Sequence, residues 1–263
     1  MPVRVGVFGA GGKMGSTVCA AVLRDPDLEL VAAVDPHHVG LDVSKFTDGE
    51  GHGLQISSSA EALAESGAEV AVDFTFLDAA RENLAWCAAN GVHAVVGTTG
   101  FTDDDVARFK ATFTSSNFLW APNFAIGAVL MMRFAELAAP WFESAEIIEL
   151  HHDQKIDAPS GTAMRTAELM AAASNEWTAD PTQKVVREGA RGGEADGGIR
   201  VHSVRLRGMV AHQEVLLGTE GQSLTIRHDS YDRSSFMPGV VLACKAIADH
   251  PGVTVGLEPF LGL

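Results

Sequence analysis

Residues 3–24 read VRVGVFGAGGKMGSTVCAAVLR. A short apolar run of strand character breaks into glycines at GAGGKMG, residues 9–15, and the chain then resumes with helical periodicity. Glycines at the end of a first strand let the backbone turn tightly and approach a pyrophosphate. The N-terminus of the following helix then meets the phosphate charge. The strict G-x-G-x-x-G spacing is absent: Gly9, Gly12 and Gly15 recur every third residue, with Gly11 added. By itself this reads equally well as a plain tight turn. What favours a dinucleotide is the strand before it, the helix after it, and Asp35 closing the second strand, LELVAAVD. An acid there accepts hydrogen bonds from ribose hydroxyls, or else caps its own turn. Lys13, inside the turn, is placed to offset phosphate charge.

Outward from this stretch the chain alternates strand and helix. Helix is expected over 13–24, 60–66, 77–90 and 103–113, and strand over 68–75, over 92–100 where it ends in a turn, and over 117–123. Asn90-Gly91 is a left-handed stop for the third helix. Val/Ala-rich strands spaced by helices read as a parallel sheet covered on both faces. The loops GTTG (97–100) and APNF (121–124) end two of those strands, so they face the same crevice as the glycine turn.

After residue 123 the pattern changes. A long helix (125–142) precedes the strand EIIEL, and Ser160 is placed to cap a helix over 161–173. Residues 187–198, REGARGGEADGG, read as a mobile loop. IRVHSVRLRG, VAHQEVLLGT and QSLTIRHDS are β-like segments with short turns, which implies an antiparallel sheet. The tail, a helix and then VTVGLEP, resembles the first half and is expected to return to it. The fold class is thus α/β, a doubly wound parallel sheet of Rossmann type, with a second α+β domain on a mixed or antiparallel sheet. Expected boundaries are 1–125 with 235–263 for the dinucleotide-binding domain and 126–234 for substrate binding and oligomerisation.

The bulk composition excludes whole classes. With 34 acids against 19 bases the net charge is −15, which repels nucleic-acid backbones and anionic lipid heads. No apolar run approaches the roughly 18–20 residues of a membrane span, and no targeting segment precedes the first strand. Cys19, Cys87 and Cys244 are far apart in apolar surroundings. They read as reduced, buried thiols of a cytoplasmic protein rather than a disulfide framework or a zinc knuckle.

Residues 149–164, ELHHDQKIDAPSGTAM, carry the chemistry. Adjacent histidines lack the i, i+4 spacing of a helical zinc pair, and no third ligand stands at a recognisable spacing. His202, His212 and His228 are further histidines on strand-like segments. A proton relay fits better: successive residues leaving a strand point to opposite faces, and imidazole and ammonium both deliver protons near neutrality. Ser160-Gly161-Thr162 then opens a helix whose N-terminus suits a carboxylate. Proton donors beside an anion cradle, plus a dinucleotide turn, point to reduction of an anionic substrate. A solvated loop remains the bland alternative.

The phrases GAGGKMG, DFT, HAVVGTTGF, APNFAIG, ELHHDQKIDAPSGTA and RLRGMVAHQEVLLGTEGQSLTIRHDSYDRSSFMPG resemble the 4-hydroxy-tetrahydrodipicolinate (dihydrodipicolinate) reductases nearly end to end. VGLEPFL and HAVVGTTGF look most like actinobacterial members. The resemblance implies NADH- or NADPH-dependent reduction of a cyclic hydroxylated imine dicarboxylate to tetrahydrodipicolinate, with loss of water, in lysine biosynthesis through diaminopimelate. It implies His151 as general acid/base, Lys155 as proton donor, and His152, Ser160, Gly161 and Thr162 as substrate contacts. Gly9, Ala10, Gly11, Gly12, Lys13 and Met14 would line the cofactor with Asp35, Gly97, Thr98, Thr99, Ala121, Pro122, Asn123 and Phe124. It implies a homotetramer joined through second-domain sheets; the histidine spacing above argues against a metal. Pro36 stands where users of the phosphorylated cofactor often carry arginine, which leans towards NADH, although His37, His38 or Lys13 could still accept a 2′-phosphate. The family's Gly-Glu-His is here Ala211-His212-Gln213, so no role is carried onto those positions; Arg233 is held in reserve. Alternatives are another amino-acid pathway dehydrogenase, and a cofactor sensor, which would not need both His151 and Lys155.

Overall fold

The opening apolar run is strand β1 (Val3–Phe8), and the glycines deliver it into α1 (Lys13–Arg24). Then follow β2 (Leu28–Val34), α2 (Glu61–Glu65), β3 (Val70–Asp73), α3 (Leu77–Asn90), β4 (His93–Val96), α4 (Asp103–Thr112) and β5 (Phe118–Trp120). The chain continues through α5 (Ile126–Ala138), β6 (Ser144–His151), α6 (Gly161–Ala173), β7 (Gly193–Glu194), β8 (Arg200–Arg205), β9 (Ala211–Thr219) and β10 (Gln222–Ser230). It ends with α7 (Met237–Ala246) and β11 (Val253–Val255). The computed structural model describes all 263 residues. Two units emerge, Met1–Phe124 with Arg233–Leu263, and Ala125–Asp232.

In the first unit six strands pair in the order β11-β5-β4-β3-β1-β2, every pair parallel. Strand order reverses between β1 and β3, the switch point where such sheets open a crevice at their carboxyl ends. β3 is buried along its whole length and β1 over its last four residues, as a sheet covered on both faces requires. Val5, Val72 and Val95 are fully enclosed, each contributing roughly 1.5–3 kcal/mol of burial. Gly91 ends α3 at φ 69°. The tail returns as expected, β11 pairing with β5 at the sheet edge. Cys19, Cys87 and Cys244 are buried and unpaired. Burial pushes their thiols up, Cys19 and Cys244 to about 12, so they stay protonated and unreactive.

The second unit corrects two expectations. Its sheet runs β10-β9-β6-β8-β7. β9 and β10 form the expected antiparallel hairpin, but β8 does not join them: β6 lies between, antiparallel to β9 and parallel to β8. Period-2 alternation identifies a strand and its faces but not its neighbours, so the consecutive segments imply an antiparallel sheet where the observed one is mixed, the other form the fold class allowed. The glycine-rich stretch 187–198 is also more tied down than a mobile loop. Its Gly193–Glu194 pairs with β8, and Arg191 contacts Glu146 at 2.6 Å and Asp180 at 3.4 Å. Those charges lie 45 and 11 residues upstream of Arg191, beyond the reach of local composition.

Candidate functional site

In the first unit the glycine turn is built by three features. Gly9 sits at φ 68°, a left-handed conformation that a side chain resists. Its carbonyl accepts the Gly12 amide at 2.9 Å. Gly15 packs so closely that a Cβ there would overlap the Gly9 carbonyl and the Ala10 Cα. Asp35, buried after β2, accepts the Gly11 amide at 3.0 Å on Oδ2 and the His37 amide at 2.9 Å on Oδ1, and Oδ2 also lies 3.1 Å from His38 Nδ1. It therefore caps its own turn, and in doing so ties the end of β2 to the glycine turn. Lys13 opens α1, exposed. A glycine cradle at a helix start, with a carboxylate braced beside it, fits a dinucleotide.

The other predicted loops of this unit converge through a residue given no role in advance. Asp73, buried at the end of β3, accepts the Thr75 amide and hydroxyl at 2.7 Å. Its other oxygen accepts Asn83 Nδ2 at 2.7 Å. The Thr98 hydroxyl donates to the Thr75 carbonyl at 2.9 Å, and the Thr98 carbonyl accepts Trp120 Nε1 at 3.0 Å. The loops after β3 and β4 are thus braced with Trp120 of β5. Ala121 donates its amide to Val96 at 3.0 Å, and Phe124 packs on Phe74 at 5.6 Å between ring centroids. Gly97, Thr98, Thr99 and residues 121–124 all lie beyond strand carboxyl ends, as do Gly9, Gly11 and Asp35.

In the second unit β6 ends at His151. Residues two apart share a strand face, so Glu149 lies beside His151 on the side covered by α6. Glu149 is completely buried. Its Oε2 sits 2.5 Å from His151 Nδ1, and its Oε1 accepts the Ser160 amide at 3.2 Å. Arg205, at the neighbouring register of β8, donates to both carboxylate oxygens at 2.9 Å. Arg205 also reaches the Asp157 carbonyl at 2.6 Å, while the Asp157 carboxylate holds Lys155 Nζ at 2.8 Å from both oxygens. One network therefore links the imidazole, the ammonium and the helix start. Ser160 caps α6 through a bond from the Ala163 amide to its hydroxyl at 3.2 Å; Gly161 and Thr162 form the first turn, at the positive end of the helix dipole. His152 is exposed just past the strand.

The electrostatics follow from this network. Burial alone would raise Glu149, but bonds from Arg205, Ser203 and His151 outweigh it and hold the carboxyl below its ordinary range. For His151 burial is the largest influence and lowers it; Glu149 opposes, Lys155 and Arg205 reinforce, and the net direction is down. Sequence reasoning passed over Glu149 and Arg205, although the parity of EIIELHH puts Glu149 on the His151 face. His202 and His212 each have a carboxylate partner at 2.7 Å, Glu146 and Asp229. A cavity of about 610 Å³ lies elsewhere in this unit, against Trp177, Asp180, Arg191 and Arg200, and touches none of the predicted residues. Its charges pair with one another, Glu146 with Arg191 at 2.6 Å and Asp180 with Arg200 at 3.2 Å.

Comparison with known proteins places the chain in a family. Residues 3–124 match the family described as dihydrodipicolinate reductase, N-terminus, and residues 127–261 match its C-terminus. A 4-hydroxy-tetrahydrodipicolinate reductase of Nocardia farcinica is 53% identical, covering 100% of both chains. One from Streptomyces coelicolor is 50% identical, covering 99% of this chain and 98% of its own. A dipicolinate-bound dihydrodipicolinate reductase from Paenisporosarcina superposes with a TM-score of 0.85 at 41% identity, over 98% of this chain and 99% of that one. Matched from end to end by both halves of the family and by these relatives, the chain belongs to the 4-hydroxy-tetrahydrodipicolinate reductases, NAD(P)H-dependent oxidoreductases of lysine biosynthesis through diaminopimelate.

Proposed function

We propose that residues 149–162 form the proton-delivering and carboxylate-holding centre of this reductase, with the glycine turn, Asp35, residues 97–99 and residues 121–124 lining its cofactor. The observation that carries the reading is the Glu149 carboxylate, which joins His151 to the start of α6 through Ser160. Loss of the substrate hydroxyl as water puts a proton on the leaving oxygen and releases one from the neighbouring ring carbon to a base; reduction then adds a hydride and a proton across the ring, so one proton is consumed overall. The bound nicotinamide supplies the hydride. His151 serves as general acid/base and Lys155 as proton donor. His152, Ser160, Gly161 and Thr162 hold a substrate carboxylate, the dipole of α6 favouring its charge. That the Paenisporosarcina relative holds dipicolinate, a planar dicarboxylate, supports the substrate class. The test couples the protein to the synthase that makes its substrate and follows consumption of reduced cofactor in wild type, His151→Gln and Lys155→Ala. Turnover should collapse in both variants.

The cofactor preference we infer is NADH. Asp35 presents a buried carboxylate where a 2′-phosphate would add like charge, Pro36 offers no cation, and His38 is already turned onto Asp35. A like-charge encounter of about 1.4 kcal/mol is a factor of ten, so kcat/KM for NADH should exceed that for NADPH by roughly tenfold. A specificity constant for NADPH well above that for NADH would overturn the preference.

We also assign a cytoplasmic homotetramer. The free buried thiols fit a reducing compartment. The sheet face opposite α6 is open, with Glu146, Ile148, Leu150 and Leu216 partly exposed. Light scattering should return the mass of four chains; a monomer mass would remove the sheet-to-sheet contact.

A further inference from the structure

We infer that Glu149 is a positioning residue for the reaction: by accepting a hydrogen bond from His151 Nδ1 it keeps the proton on that nitrogen, so that Nε2 is the only imidazole atom that exchanges a proton with substrate, and Arg205 keeps Glu149 ionised and fixed in place. This rests on the assignment of His151 as the proton-handling imidazole. No role for Glu149 or Arg205 follows from the motif itself.

The geometry leaves little freedom. Glu149 is fully buried, and a buried carboxylate persists only if paired and hydrogen-bonded. Each of its oxygens is engaged: Oε2 by His151 Nδ1 at 2.5 Å and Arg205 Nη1 at 2.9 Å, Oε1 by Arg205 Nη2 at 2.9 Å and the Ser160 amide at 3.2 Å. An ionised carboxylate only accepts, so the nitrogen facing it must carry hydrogen. Neutral His151 is then protonated on Nδ1 with a lone pair on Nε2, and the cation gives up its Nε2 proton first. The same carboxylate braces the amide of the α6 cap, so the imidazole and the anion-holding turn share one fixed point. An acid that orients an imidazole and selects its tautomer without itself taking the proton is known from hydrolytic triads.

The charged groups around His151 are Glu149 of its own strand, Arg205 of β8, and Lys155 with Asp157 of the following loop. Among them the Glu149 carboxylate raises the imidazole, while Lys155 and Arg205 lower it. Removing the Glu149 charge therefore moves the His151 titration to lower pH.

The test is side-chain NMR of the ¹⁵N-histidine-labelled full chain, with the His151 signals identified by their loss in His151→Gln. Wild type should show neutral His151 protonated on Nδ1. Glu149→Gln should lower that population, move the titration midpoint to lower pH, and reduce kcat by roughly 10–100-fold, with cofactor Kd within about twofold. Because Glu149→Gln leaves Arg205 buried beside a neutral group, Glu149→Gln/Arg205→Met is measured alongside it; it should show the same tautomer shift and a smaller fall in midpoint. A wild-type His151 carrying its proton on Nε2 overturns the inference, whichever variants fold. So does a Glu149→Gln protein with the Nδ1 proton and midpoint unchanged. The resonances are read without turnover, so they separate this claim from the proton-transfer assignment: wild-type rates in His151→Gln overturn that assignment and leave the Glu149 tether standing.

Discussion

His151→Gln should lower kcat by about two orders of magnitude, and Lys155→Ala by a similar factor. A positioned general acid or base contributes roughly 10²–10⁴-fold, and glutamine keeps the polarity and approximate reach of the imidazole but has no nitrogen that titrates near neutrality. Its amide can still meet Glu149, so the network around Arg205 and Ser160 survives and the loss falls on chemistry rather than on folding. Lys155 is held by Asp157 at 2.8 Å, and Asp157 is joined through its carbonyl to Arg205, so the two donors hang on one frame. Groups that act as a unit are not additive. The double variant should therefore fall little below the weaker of the two single variants. Steady-state consumption of reduced cofactor, with substrate generated by the synthase, measures all three; wild-type rates in both single variants would refute the relay.

Gly15→Ala should weaken cofactor binding by roughly 10–100-fold and lower the melting temperature by roughly 3–10 °C. A Cβ at Gly15 meets the Gly9 carbonyl and the Ala10 Cα. These are backbone atoms, which cannot swing aside as a side-chain tip would. Overpacking of this kind costs roughly 1–3 kcal/mol, which converts to a few degrees per kcal/mol in a chain of this size. Relief requires the turn to open, and opening breaks the Gly12 amide bond to Gly9 and would misalign the amides that the proposed cofactor site offers to phosphate. Calorimetric titration with NADH and a thermal melt check both parts. A variant with wild-type affinity and melting temperature would show that the turn does not carry the cofactor.

Much of the first unit was legible because its strands are enclosed on both faces and write themselves as Val/Ala runs between glycines and caps. Ser160 was legible as a cap for a local reason: its hydroxyl meets an amide three residues on. The second unit was less so. Alternation in IRVHSVRLRG announces β8 and its faces, but nothing local says that β6 will stand between it and β9. Asp73 and Glu149 were missed for a related reason. A buried acid in a strand looks like an ordinary polar residue until its partners arrive, and for Glu149 the decisive one, Arg205, is 56 residues away. His151 and Lys155 were visible because adjacent titratable groups are costly to place without a use. What stabilises them was not visible, since it depends on the register between β6 and β8.

The proposed reaction divides its labour, with protons handled at His151 and Lys155 and the cofactor held at the glycine turn. Its most direct test is kcat and NADH dissociation constant measured together on His151→Gln. A fall in kcat of about a hundredfold with the dissociation constant within about twofold of wild type is the predicted result. An unchanged kcat, or a cofactor affinity that falls in step with the rate, would contradict it.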